Sequence, residues 1–154
     1  MRAVRYYGQK DIRVEEIEAP TAGPGEVLID IAWCGICGTD LHEYLEGPIF
    51  NPAKGHPHPV TGEEMPITLG HEFSGVVSAL GEGVDDLEVG QHVVVEPYVL
   101  PEDVDPKQPG PYNLHPDVNF IGLAGHGGGL AEQISVQRRW VHPISNDVPS
   151  TKLH

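Results

Sequence analysis

The chain has 154 residues, with 23 acidic side chains against nine lysines and arginines and a net charge of −14. That balance excludes nucleic acid and anionic membrane surfaces as expected partners, because both require a basic face. With 19 glycines and 15 prolines beside 39% apolar residues, the composition argues against a helical bundle and against disorder, and for one β-rich domain with many turns.

Residues 1–7 and 12–18 read as short strands closed by Gly8 and by Ala19-Pro20. After Gly23-Pro24-Gly25 comes the clearest alternation in the chain. Val27, Ile29, Ile31 and Trp33 are expected on one face, and Leu28, Asp30 and Ala32 on the other. A short helix is expected over 41–45, with Thr39 or Asp40 as its N-cap and Gly47-Pro48 stopping it. Residues 48–66 form a proline-rich loop long enough to line a site. Strand signals follow at 67–80, 91–97 and 130–141, with a polar, proline-rich lobe at 101–111. About seven strand signals joined by tight turns predict a small barrel or sandwich.

Only two cysteines occur, Cys34 and Cys37. They are too few and too close for the disulfide framework of a secreted scaffold. No leader-like segment and no membrane-length apolar stretch is present, so a cytoplasmic domain is expected. The spacing Cys34-x-x-Cys37 allows a redox dithiol, but no second CxxC and no βαβ setting accompanies it, and packing is the better role for Cys34. Cys37, His71 and Glu72 offer thiolate, imidazole and carboxylate, the ligand types of catalytic zinc, which uses three protein ligands and an open position. Those residues alone also allow a buried, inert cysteine and a surface histidine. Gly125-His-Gly-Gly-Gly-Leu130 lacks the third glycine of a dinucleotide fingerprint, and no P-loop occurs. Close backbone approach is the better reading of these glycines.

Taken together, Gly35-Ile-Cys-Gly-Thr-Asp40 with His42, and Leu69-Gly-His-Glu-Phe-Ser-Gly75, resemble the catalytic domain of zinc-dependent alcohol dehydrogenases of the medium-chain dehydrogenase/reductase superfamily. Residues 43–50, the loop after them and Asn119-Phe-Ile-Gly-Leu123 are most similar to the 2,3-butanediol dehydrogenase branch, near sorbitol dehydrogenases. The resemblance runs from residue 1 to about 149. It implies a mainly β, GroES-like, partly open barrel with short helices, spanning 1–149, with 150–154 as a tail at a truncation point. It also implies zinc on Cys37, His71 and Glu72, with Asp40 behind the histidine. Thr39 and His42 would form a proton relay. The implied activity is oxidation of an alcohol or diol, held as its alkoxide, by hydride transfer to NAD or NADP. The complete form is expected to be a homo-oligomer.

Two departures qualify this. The positions matching the family's structural-zinc cysteines are Pro101, Val104, Lys107 and His115, so that second zinc is expected to be absent. His56, His58 and His126 are expected to be solvated loop residues. The family's nicotinamide-binding Rossmann domain has no counterpart here, so a truncated, inactive catalytic domain is expected. The alternative from another class is a non-catalytic GroES-like module that binds metal or a partner.

Overall fold

A computed structural model describes residues 1–107 and 110–148; the tail expected at 150–154 lies outside them. Among the described residues the fold is mainly β, with one short α-helix and two single-turn 3-10 helices. Strands β1 (Arg2–Gly8), β2 (Asp11–Glu16) and β4 (Ile67–Thr68) form an antiparallel sheet in the order β2-β1-β4. Five segments form the second sheet: β3 (Glu26–Cys34), β5 (Phe73–Leu80), β6 (His92–Val95), β9 (Gln133–Gln137) and β10 (Val141–Pro143), in the order β10-β6-β5-β3-β9. All its pairings are antiparallel. Val4 donates to Leu130 O at 2.8 Å, which ties the first sheet to the segment leading into β9, and accepts from Leu69 N, just past β4, at 3.1 Å. A two-stranded ribbon, β7 (Tyr98–Val99) with β8 (Asn119–Phe120), completes the wall.

The core lies inside the larger sheet, where β-branched residues at every second position suit a pleated, half-buried surface. Val27, Ile29, Val77, Val93, Ile134 and Val136 meet there, closed off by Phe73 and Trp140. The expected alternation of β3 holds through Ile31, which packs against the core, and breaks at Trp33. Pairing of β3 with β5 shifts register between Leu28 and Ile29 and again between Ile31 and Trp33. Trp33 is 44% exposed and Cys34 instead packs against the core. A bulge adds a residue to one strand and reverses the faces beyond it.

The segment 67–80, read as one strand signal, is two strands separated by the turn Leu69–Glu72. The helix α1 spans Gly38–Glu46 and its N-cap is Cys37, not Thr39 or Asp40. Asp40 occupies the third helical position, and its Oδ2 accepts the Cys37 N–H at 2.9 Å, the carboxylate half of a capping box.

Candidate metal centre

The last residue of β3, Cys34, pairs with the first of β5, Phe73, so the chain just past one strand lies against the chain just before the other. Gly35 N donates to Glu72 O at 2.7 Å and joins the two turns. Gly70 makes this approach possible. Its φ is +99°, and a Cβ there would lie 2.6 Å from Leu130 N and 2.7 Å from Cys34 Sγ, so a side chain would be strained and crowded.

The turns bring together Cys37, His71 and Glu72. Their ligand atoms all lie within 4.8 Å of one another, and among the described residues no other group of three such side chains does so. His71 is buried, Cys37 half-buried and Glu72 exposed, which leaves one side open to solvent. Behind the histidine, His71 Nδ1 faces Asp40 Oδ1 at 3.5 Å, and neither atom has a closer hydrogen-bond partner. Nε2 is then the nitrogen left for a metal, and a carboxylate at Nδ1 is the usual support for a ligating imidazole. Thiolate, imidazole and carboxylate around an open side fit zinc with a vacant position for substrate.

Electrostatics favour the same donor set. The Cys37 thiol is lowered from its ordinary value by the Thr39 backbone, then by His71 and the Thr39 hydroxyl. The facing Asp40 carboxylate raises His71 to about 9, against the opposing effect of burial. Burial and then Asp40 push Cys34 up to about 11. Its thiol donates to Gly35 O at 3.4 Å. The two cysteines, both free, therefore differ in character, one prepared to ionise and one inert.

Thr39 lies beside the cluster, its Oγ1 accepting from Cys37 Sγ at 3.7 Å. His42 is exposed one turn further along α1. His56 and His126 are exposed as expected, but His58 is half-buried. Its Nδ1 accepts from Val60 N and Thr61 N at 3.3 and 3.4 Å, which makes it a turn-forming residue.

Two further residues gave no signal in the sequence. Glu43 is wholly buried on α1, where a helical glutamate would be read as solvated. The nearest clue is Gly47, where a Cβ would lie 2.4 Å from Glu43 O and 2.5 Å from Tyr6 Oη. Arg139 reaches the lobe that lacks thiols. It donates to Val104 O at 2.7 Å, Leu100 O at 3.3 Å and Glu102 O at 3.4 Å, and its guanidinium lies 5.0 Å from the Trp140 ring centre. An arginine in a stretch that reads as a strand usually means solvent exposure, so nothing marked it as a clamp.

A sequence model of the alcohol dehydrogenase GroES-like domain matches residues 23–146. The chain belongs to that family. Its relatives include (R,R)-butanediol dehydrogenases of Neisseria gonorrhoeae, 63% identical over 97% of this chain, and of Bacillus subtilis, 49% identical over 96% of it. The crystal structure of 2R,3R-butanediol dehydrogenase from Bacillus subtilis superimposes with a TM-score of 0.90 at 47% identity, covering 99% of this chain and 42% of that one. The GroES-like chain spans about two fifths of the length of these curated relatives, 42% and 41%. No helix among the described residues is long and apolar enough to cross a membrane.

Proposed function

We propose that this chain is the substrate- and zinc-binding domain of a nicotinamide-dependent dehydrogenase acting on small secondary alcohols or diols. The observation that carries the reading is the cluster of Cys37, His71 and Glu72 backed by Asp40. The family and the butanediol dehydrogenase relatives support the reaction class. Zinc, when bound by Cys37, His71 and Glu72, supplies a Lewis acid that acidifies the alcohol hydroxyl.

The chain's own residues prepare this chemistry. Asp40 holds His71 in the tautomer that offers Nε2, and also caps the turn that carries Cys37. The open side of the cluster admits an alcohol. Thr39 Oγ1, beside Cys37, accepts the proton leaving the alcohol as its own hydroxyl proton passes on, and His42, on the same face of α1, delivers a proton to water. A nicotinamide, which these residues do not hold, would supply the hydride acceptor when the alcohol is oxidised to a ketone.

The glycine-rich segment 125–130 does not fit that second cofactor. A Cβ at Gly128 would lie 2.3 Å from Thr68 O and one at Gly129 2.6 Å from Phe73, so these glycines serve backbone packing and leave no cradle for a pyrophosphate. The chain by itself is accordingly expected to be inactive with NAD.

The test is NADH formation with a panel of secondary alcohols and diols, by this chain alone and by a form joined to a nicotinamide-binding domain. The reading expects turnover only in the second, with Thr39→Val and His42→Ala each slowed roughly a hundredfold. A zinc-loaded joined form that oxidises none of them refutes it and leaves a non-catalytic metal-binding module.

A further inference from the structure

Glu43 is a fully buried carboxylate that the chemistry above does not use. It follows His42 on α1 and turns toward the chain beyond the helix. Ile49 N donates to both its oxygens at 3.1 Å, Asn51 N donates to Oε1 at 3.3 Å, and Phe50 N also donates to Oε1. Three successive N–H groups aimed at one anion form a nest. Burying a carboxylate is costly unless its lone pairs are met, and here backbone amides meet them.

The held segment is linked to the metal centre through Asn119 and Phe120. Asn51 is buried, while Ile49 and Phe50 are half-exposed apolar side chains. Phe50 O accepts from Asn119 Nδ2 at 3.4 Å. The next residue, Phe120, places its ring 6.2 Å from that of His71. The α1 backbone near Glu43 has separate support, because Tyr6 Oη and Gly47 N both donate to the Glu43 carbonyl at 2.9 Å. The carboxylate is therefore free to serve the segment, not the helix.

We propose that Glu43 is a positioning residue. Its carboxylate sets residues 49–51 so that Ile49 and Phe50 form an apolar wall on the approach to Cys37, His71 and Glu72, and so selects which alcohols enter. This rests on the reading that an alcohol binds there.

The test uses the protein with cobalt in the metal site, so that alcohol binding is seen in the cobalt spectrum without turnover. Wild type, Glu43→Gln and Tyr6→Phe are compared by amide exchange at 49–51 and by titration with 2-butanol and 3-methyl-2-butanol. Glu43→Gln is expected to speed exchange at the three amides roughly tenfold to a hundredfold, since each loses a charged acceptor. The ratio of the two dissociation constants should shift roughly tenfold, the scale on which a pocket reads one added carbon. Tyr6→Phe should change neither, and the alcohol-free cobalt spectrum should be the same in all three. Unchanged exchange in Glu43→Gln overturns the proposal, and so does faster exchange with an unchanged ratio. Glu43→Asp, which keeps the charge and shortens the reach, is read the same way if the glutamine variant does not fold. Wild-type cobalt protein that binds neither alcohol refutes the alcohol reading itself, and this inference with it.

Discussion

Replacing Arg139 with methionine tests what holds the thiol-free lobe. The guanidinium makes one strong contact, to Val104 O at 2.7 Å, and two long ones, to Leu100 O and Glu102 O. A hydrogen bond from a charged donor contributes about 1.5–3 kcal/mol, and the contact with Trp140 adds about 0.5 kcal/mol. The long contacts are worth little, and the freed carbonyls can be hydrated. Anchoring of about 2–3 kcal/mol is therefore lost, which raises the open population of the lobe roughly 30- to 150-fold. Limited proteolysis reads that population when reclosing is faster than cleavage. Cleavage within 100–107 should accelerate by that factor in Arg139→Met and by less in Arg139→Lys, which keeps charge but loses the fork. Chelator should leave the wild-type rate unchanged. Wild-type cleavage rates in Arg139→Met, or a lobe that chelator opens, would refute the clamp.

The raised His71 value gives a pH signature. In the metal-free chain, the stabilisation from protonated His71 is fully present below its ordinary value of 6.5 and is lost as pH rises through about 9. Zinc must displace that proton, so its affinity should climb between these limits and then level off. Asp40→Asn should reach the plateau at lower pH, as read by competition titrations, and a flat affinity from pH 6 to 9 would contradict the pairing. Alkylation of the metal-free chain at pH 8 should modify Cys37 well before Cys34, by mass spectrometry, because one thiol is lowered and the other raised to about 11; Cys34 reacting first would reverse the assignment. Gly128→Ala should destabilise the fold by about 2–3 kcal/mol in urea, because the added methyl meets the backbone oxygens of Thr68 and Leu69 at 2.3 and 2.4 Å; no loss would mean that the two segments can separate.

The β class and most strands were legible because alternating valines and isoleucines carry the pleat in their spacing, as at Val27 and Ile29. The reversal at Trp33 was not, since a register shift leaves no mark on the residues that undergo it. The paired dipeptides Tyr98–Val99 and Asn119–Phe120 are too short to show any period. Residue types and a family resemblance pointed to Cys37, His71, Glu72 and Asp40, while their convergence depends on Gly70 and the turn bond from Gly35 to Glu72. The helix begins earlier than expected because Asp40 caps from inside it, at its third position, so the usual preference for threonine or aspartate at the N-cap misled. Glu43 and Arg139 stayed hidden for a common reason. Charged side chains are read as solvent-facing, and only tertiary structure shows that backbone amides or carbonyls surround them.

Metal binding by the cysteine variants tests the central claim most directly. Cobalt titration followed by absorbance reports both stoichiometry and a thiolate-to-metal band. Wild type and Cys34→Ser should each bind one ion with that band, and Cys37→Ser should lose the band and most of the affinity. Equal loss in both variants, or an intact thiolate band in Cys37→Ser, would contradict the centre built on Cys37, His71 and Glu72.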